Sequence, residues 1–307
     1  MNSQVELSVV IPVYNGEDFI GSTIESVLSH SNGFNVECVV VDDGSFDRTP
    51  EILESFNGRV RVHRQSNAGE SAAVNKGLQL ALGHYIVVIS ADDPVLTSKL
   101  FEGVVQYFEA NPRVVGWYPD WNVIDENGLV LRQNLLPEYE FKDLFSRNKV
   151  LPGPGTWFRT EAALAIGGRK TKWKYVGDYD FWLRLSQYGF LVHRSGVLAQ
   201  WRKHARSTSI SERGPQMAFE RIQVIEEFIE EFEERIDPKM KSLARAHASY
   251  LAAKLGYFSR NVNSRKLIFD SLKHNFRIIF YAKPHEIIFM LTFPVSKKCL
   301  DLISRRR

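Results

Sequence analysis

Four short strand-like runs, each followed by a stretch with helical spacing, constrain the fold of this chain more than any other feature. Leu7–Val13 and Asn35–Val41 are apolar and rich in β-branched residues, Tyr85–Ile89 repeats the pattern, and Arg59–Arg64 is a third strand in chain order. Such runs, bounded by turn residues, read as strands. Between them, Glu17–His30 carries Phe19, Ile20, Ile24, Val27 and Leu28 at helical spacing, and Asp47–Phe56 is a short helix with Pro50 in its first turn. Gly69–Leu82 reads as a helix closed by Gly83, and Thr97–Asn111 as a helix stopped by Pro112. Strands alternating with helices pair in parallel through right-handed crossovers. In such sheets ligands bind beyond the carboxyl ends of the strands.

Those ends are therefore where chemistry is sought. They carry Pro12-Val13-Tyr14-Asn15, Asp42-Asp43-Gly44-Ser45, Gln65-Ser66-Asn67 and Ser90-Ala91-Asp92-Asp93. Adjacent aspartates repel, and a cation or a hydrogen-bonding ligand between them relieves the repulsion. Asp92 and Asp93 offer hard oxygen ligands suited to Mg²⁺ or Mn²⁺ rather than Zn²⁺; the alternative is that one of them caps the loop before Pro94. Asp42-Asp43 is open to two readings as well, an Asx-capped turn or a carboxylate that accepts from a base N–H or a ribose hydroxyl. No G-x-G-x-x-G follows the first strand and no G-x-x-x-x-G-K-[ST] occurs, which disfavours a dinucleotide-binding fold and a P-loop NTPase.

Further along, Val114–Tyr118 and Trp121–Ile124 read as strands, with a hairpin turn at Asp125–Gly128 before Leu129–Arg132. Leu151–Gly155 is a loop, Gly177–Tyr188 a helix and Leu191–Ala199 a strand. From Glu212 the pattern is helical, with a stripe of Phe219, Ile222, Ile225, Phe228, Ile229 and Phe232 on an acidic helix that ends near Asp237-Pro238. Helical spacing continues through Leu243–Phe258, Arg265–Phe280 and His285–Arg307.

In order, Val9–Gly16, Val40–Ser45, Asn67-Ala68-Gly69 with Asn75-Lys76-Gly77, and Ser90–Asp93 resemble the family 2 glycosyltransferases of the GT-A fold. Gly153-Pro154-Gly155 with Phe158-Arg159 and Ile166-Gly167-Gly168, then Gly177–Leu185, then Arg202-Lys203-His204 with Ser207 and Ser209, extend the resemblance over roughly residues 5–210. It implies an α/β fold with a Rossmann-like, mixed but mainly parallel sheet flanked by helices. A catalytic domain over 1–210 would precede a helical, basic C-terminal extension over 211–307.

The resemblance implies an inverting transfer of a sugar from a nucleoside-diphosphate sugar to a hydroxyl of a glycan or lipid-linked glycan, assisted by Mn²⁺ or Mg²⁺. Pro12, Tyr14 and Asp43 would hold the base, with Tyr14 against its face, and Asn15, Asn67 and Lys76 fall in the donor-binding motifs. Asp92 would contact ribose or metal, Asp93 would be a direct metal ligand, and His204 is either a further ligand or a structural hydrogen-bonder. Asp178 would take the proton from the acceptor hydroxyl; its alternatives are an N-cap role, or Asp180 as the base. Trp173, Tyr175 and Trp201 are candidate sugar-facing rings or core residues. The usual acidic first residue of the Asp-x-Asp motif is Ser90 here. That keeps a nucleotide-sugar-binding or scaffold protein without turnover as the rival reading. A sugar-phosphate nucleotidyltransferase would want a Gly-rich basic loop, and Pro12–Asp18 is none.

Charge separates the two regions. Residues 239–307 hold 15 Lys and Arg against 3 acidic residues, while the rest holds 24 against 33. Aromatic and aliphatic residues interleave with the basic ones at Phe276–Lys283. This points to peripheral contact with an anionic membrane, or to a helical subdomain packed on the catalytic domain or on a second subunit of a homo-oligomer. Phe276–Val295 is interrupted by Arg277, Lys283, His285, Glu286 and two prolines, so a spanning helix is not expected. No secretory signal is visible, and the chain is expected in the cytoplasm or at the inner face of the membrane. No nucleic-acid-binding module is present, so no nucleic-acid partner is expected. Cys38 and Cys299 are too far apart for a C-x-x-C motif, and Cys38 reads as a buried core thiol.

Overall fold

The structure, a computed structural model, describes residues 5–147, 149, 152–204, 214–257, 263–282 and 284–292. Cys299, Ser207 and Ser209 lie outside them, as do most of the loop at 148–151 and the end of the tail. The chain divides into two compact units, Met1–Tyr139 with Leu151–Ser207, and Glu140–Val150 with Thr208–Arg307.

The first unit is built on an eight-stranded sheet. Strands β1 (Leu7–Val13), β2 (Val36–Asp42), β3 (Arg61–Arg64) and β4 (Tyr85–Val88) are followed by β5 (Val114–Ile124), β6 (Val130–Asn134), β7 (Trp157–Arg159) and β8 (Phe190–Arg202). Their order is β3-β2-β1-β4-β7-β5-β6, with β8 paired to β5. β1 pairs in parallel with β2 and β4, β2 with β3, and β5 with β8; the pairs made by β7, and β5 with β6, are antiparallel. The first four strands thus pair as the alternation of strand and helix requires.

Helices α1 (Ile20–His30), α2 (Thr49–Glu54), α3 (Glu70–Leu80), α4 (Val104–Ala110), α6 (Thr160–Ala165) and α7 (Gly177–Leu185) flank this sheet; α5 (Phe141–Ser146) belongs to the second unit. One core gathers Val9, Ile11, Ile24, Val40, Val87, Phe108, Trp117 and Trp157, and a smaller one sets Val39 and Val41 against Ala73 of α3. Burial of each such side chain is worth roughly 1.5–3 kcal/mol.

Several elements differ from their expected bounds. The helix expected over 97–111 is a short 3₁₀ turn at Ser98–Leu100 followed by α4, broken by Gly103 at φ 67°. Gly83 does not close α3 as a left-handed cap. The helix ends at Leu80 with Ala81 extended, and Gly83 is required because a Cβ there would lie 2.6 Å from the Leu7 carbonyl carbon. Gly77 serves similarly, since a Cβ would collide with Val10 Cγ1. The two strands expected at 114–118 and 121–124 are one, continuous through Pro119.

The pairing of β8 with β5 changes register along its length. Gly116–Pro119 face Leu191–Arg194, whereas Trp121–Ile124 face Ala199–Arg202, so β8 takes in three extra residues between these stretches. Asp120 holds the bulge: Oδ2 accepts the Gly196 N–H at 2.8 Å and Oδ1 lies 2.9 Å from His193 Nε2. The Leu136 N–H also donates to Oδ1, at 2.7 Å. Two backbone N–H groups and the imidazole outweigh burial and hold the Asp120 carboxyl below its usual range.

The second unit packs α5 with α8 (Gly214–Glu231), α9 (Pro238–Gly256), α10 (Ser264–His274), α11 (Ile278–Tyr281) and α12 (Pro284–Thr292). Asp237 and Pro238 begin α9 rather than end α8; the Asp237 carboxylate caps the Lys239 and Met240 N–H groups. On α8 the buried stripe is Ala218, Val224, Ile225, Phe228 and Ile229, while Phe219 is exposed. Alanines at 244, 246, 248, 252 and 253 of α9 are buried, and Phe141 and Phe145 of α5 pack on Phe228. Cys38 is buried and free, as its apolar run implied.

Candidate active site

The ends of β1 and β2 are stitched together by side chains reaching to backbone. The Asn15 N–H donates to Ser45 Oγ at 2.9 Å, and Asn15 Oδ1 accepts from the Phe46 N–H at 3.0 Å. The Gly16 N–H donates to Thr49 Oγ1 and the Glu17 N–H to Asp47 Oδ2. Asn15 is left-handed at φ 51°, a conformation that Asn tolerates and that no other non-glycine among the described residues adopts. Tyr14 projects from this turn half in solvent, and Pro12 is buried within β1, paired with Val41.

The two aspartates after β2 are consumed by their surroundings to different degrees. Asp42 Oδ1 accepts the Ser45 N–H at 2.9 Å, and Oδ2 lies 3.3 Å from Arg64 Nε. Asp43, expected to bind the base, first holds a loop: Oδ1 accepts Gln65 Nε2 at 2.8 Å and the Ala68 N–H at 2.9 Å, and Oδ2 accepts the Gly69 N–H at 2.8 Å. A carboxylate has about four lone-pair sites, so Oδ2 retains one acceptor direction. Gly44, at φ 79°, lets the loop close, since a Cβ would sit 2.9 Å from the Asn67 nitrogen. Asn67 is exposed on that loop. Lys76 lies half-buried on α3, one residue past Asn75, whose side-chain amide clamps the Arg169 backbone through N–H at 2.7 Å and C=O at 2.8 Å.

After β4, Asp92 and Asp93 diverge. Asp93 turns inward. Its Oδ1 accepts the Arg202 N–H at 2.7 Å, the Ser90 side chain bonds to it, and burial reinforced by the neighbouring Asp92 pushes its carboxyl well above the usual range. Asp92 stays partly open, with Oδ2 2.8 Å from His204 Nε2. Arg202 sets this arrangement. Its guanidinium donates to the carbonyls of Asp92, Asp125 and Glu126 and lies over the Phe19 ring, against which the His204 ring also packs. Sequence reasoning put Arg202 in a closing motif and Phe19 on a helix face but gave neither a part in ordering the Asp92 loop; the signal would have been an arginine two residues from a candidate ligand at a strand end.

Among the described residues no three His, Cys, Asp or Glu side chains form a closed metal site. The partly open carboxylate of Asp92 is nevertheless the hard oxygen donor that Mg²⁺ or Mn²⁺ takes, and such ions commonly have few protein ligands and complete their shell with phosphate and water. His204 Nε2 is engaged with that carboxylate, and Asp93 is committed to the interior.

On α7 the structure separates the two candidate bases. Asp178 lies in the first turn, after Val176 at the cap position; its Oδ1 accepts the Tyr179 N–H at 2.7 Å, and the residue is exposed. Asp180 is buried and paired with Arg184, whose guanidinium also donates to the carbonyls of Ile166 at 2.7 Å and Gly168 at 2.8 Å. Gly177 packs so closely on Ser71 that a Cβ would lie 2.7 Å from its hydroxyl, bringing the start of α7 to the start of α3. Trp173 is buried and serves packing. Tyr175 is half-buried under Lys174, and Trp201 makes a half-buried edge-to-face pair with Trp121.

The sequence model described as "Glycosyl transferase family 2" matches residues 8–166. Glycosyltransferase GlyG of Streptococcus pneumoniae serotype 4 is 32% identical over 127 residues, covering 39% of this chain and 42% of that protein. The chain thus matches less than half the length of this relative. Among solved structures, S. aureus TarS 1-349 superposes with a TM-score of 0.65 at 15% identity, covering 96% of this chain and 88% of that one. In complex with UDP-GlcNAc the same protein gives 0.63, covering 98% and 92%. The mannosyltransferase PcManGT from Pyrobaculum calidifontis, in complex with GDP-Man and Mn²⁺, gives 0.53 at 16% identity, covering 98% and 86%. At these identities the likeness is one of fold.

Proposed function

The chain belongs to glycosyl transferase family 2, and from that membership we propose that it moves a sugar from a nucleoside-diphosphate sugar to an acceptor hydroxyl with inversion. The observation that carries this reading is the contrast on α7: Asp178 presents an exposed carboxylate while Asp180, two residues on, is locked to Arg184. Asp178 accepts the proton of the acceptor hydroxyl as its oxygen bonds to the anomeric carbon. The bond from that carbon to the phosphate oxygen breaks, and its electron pair leaves with the nucleoside diphosphate. Positioned base catalysis of this kind contributes roughly 10²–10⁴-fold. Binding without turnover, the rival reading raised by Ser90, would leave Asp178 only a structural part at the helix start, where its Oδ1 accepts the Tyr179 N–H.

Tyr14 and the remaining acceptor direction of Asp43 receive the base, and Asn15, Asn67 and Lys76 flank the donor. Asp92 and His204 would hold Mn²⁺ or Mg²⁺, which supplies neutralisation of the charge that grows on the leaving diphosphate. The complexes of TarS with UDP-GlcNAc and of PcManGT with GDP-Man and Mn²⁺ support a donor of this class. Purified protein incubated with UDP-, GDP- and dTDP-sugars, with and without Mn²⁺, tests the reading through nucleoside diphosphate release. Release with one donor that Asp178→Asn abolishes supports it; binding of a nucleotide sugar with neither transfer nor hydrolysis in the presence of glycan acceptors returns the scaffold reading.

A membrane-apposed acceptor, such as a lipid-linked glycan, fits the second unit. Phe269, Phe276, Phe280 and Ile288 are exposed there beside exposed Arg265, Lys266, Lys273 and Arg277. Among the described residues no helix is long and apolar enough to cross a membrane. Each basic side chain at an anionic surface is worth about 1 kcal/mol. The full chain is expected to float with phosphatidylglycerol vesicles and not with phosphatidylcholine ones, and equal recovery with both speaks against the contact.

A further inference from the structure

Phe46 is the most exposed large apolar side chain among the described residues of the sheet unit, at 80%. Burial of a phenyl ring ordinarily repays several of the interactions a loop can make, so a ring left in water on a rigid segment invites an explanation. Lone surface apolar residues need none, but Phe46 is not alone. Its ring stands 6.0 Å from that of Tyr14, which is itself 48% exposed, with the planes at 77°. The two rings form an open aromatic corner at the carboxyl ends of β1 and β2, where the sheet leaves room for a ligand.

The corner is held from behind. Asn15 Oδ1 accepts the Phe46 N–H, Ser45 Oγ accepts the Asn15 N–H, Asp42 Oδ1 accepts the Ser45 N–H, and Arg64 donates to the Ser45 carbonyl at 2.7 Å. Both ring-bearing residues therefore sit on backbone fixed by side chains that belong to the first two strand ends. A flat ring lying parallel to either side chain meets the other at nearly a right angle, which satisfies stacking and edge-to-face contact at once.

We propose that Phe46 is a second base-contacting residue, forming with Tyr14 the corner that receives the nucleobase of the donor. The inference rests on the donor-site reading given above and adds a residue that the motifs do not assign. Its physical basis is that base–aromatic contact needs only a π-face and tolerates any base, while the angle between the rings fixes the plane in which the base lies.

Calorimetric titration with UDP, GDP, dTDP and CDP, each with and without Mn²⁺, tests it on the full chain and on Phe46→Ala, Phe46→Leu, Phe46→Trp and Tyr14→Ala. The expected result is a Kd raised about tenfold by Phe46→Ala and nearly as much by Phe46→Leu, with Phe46→Trp close to the parent. Thermal midpoints should stay unchanged, because the ring is already in water. Unchanged affinity in Phe46→Ala while Tyr14→Ala weakens binding overturns the proposal and leaves the donor reading standing. Parent-like affinity in Phe46→Leu overturns the aromatic basis. Loss of a dimer in Phe46→Ala with unchanged nucleotide affinity makes the ring an interface residue and overturns it too. Failure of every nucleotide to bind the parent protein removes the donor reading and this inference with it.

Discussion

His204, just beyond β8, places Nε2 2.8 Å from Oδ2 of Asp92, just beyond β4, across 112 positions of sequence. The contact joins the two strand ends that the proposed chemistry needs together. His204→Ala should lower kcat/KM by about 10–100-fold, and the Mn²⁺ concentration for half-maximal rate should rise. A parent-like Mn²⁺ titration in this variant would show that the imidazole only orders the loop.

Asp178 and Asp180 should fail in opposite ways. Asp178→Asn is expected to cut turnover by about 10²–10⁴-fold at constant thermal midpoint, since the side chain is exposed. Asp180→Asn leaves a buried Arg184 short of its carboxylate, a loss of roughly 3–5 kcal/mol and on the order of 10 °C in midpoint. Paired rate and melting measurements separate the two; a stable, fast Asp178→Asn protein would sink the base assignment.

His247 of α9 makes the second unit acid-sensitive. Burial, with Arg147 and Lys149 nearby, pushes its pKa from 6.5 down to about 4, and its Nε2 has no hydrogen-bond partner among the described residues. The folded state holds it neutral while the unfolded chain takes up a proton below pH 6.5. Stability is therefore fully present above about 6.5 and falls until about 4, by roughly 3 kcal/mol. His247→Leu should flatten that part of the denaturation profile measured between pH 7 and 4; an unaltered slope would locate the sensitivity elsewhere.

Cys38 should be chemically silent. Its thiol is buried and its pKa pushed up to about 12 by desolvation, with the Glu37 charge adding to the effect. In a Cys299→Ser background, native protein should take up no thiol reagent over hours and one equivalent once denatured. Prompt labelling of the native protein would mean that the edge formed by β2 and β3 opens readily.

The first four strands, and the positions where ligands meet them, were legible because they depend on local apolar runs and on alternation. What local pattern does not encode was missed. Three residues of β7 carry too little periodicity to register as a strand, and Pro119 reads as an interruption although a bulge absorbs it. Asp92 and Asp93 are equivalent as sequence; only the approach of Arg202 from β8 sends one inward. Asp178 and Asp180 are told apart by Arg184, one turn on from Asp180, which the distant carbonyls of Ile166 and Gly168 hold in the interior. Glu140–Val150 carries no sign that it packs with helices more than 60 residues later.

The register change in β8 has a mechanical consequence. Side chains alternate across a strand, so an odd number of extra residues exchanges the two faces. The three residues taken in near Gly196 set the first half of β8 in one phase and the second half in the other. The strand behaves like two rulers joined by a vernier: one half is indexed to Gly116–Pro119 of β5 and the other to Trp121–Ile124, from which Arg202 reaches the Asp92 loop. Removal of a single residue between Ser195 and Leu198 would leave the first scale in place and turn the second over, carrying Lys203 to the position where Arg202 now grips the Asp92 carbonyl.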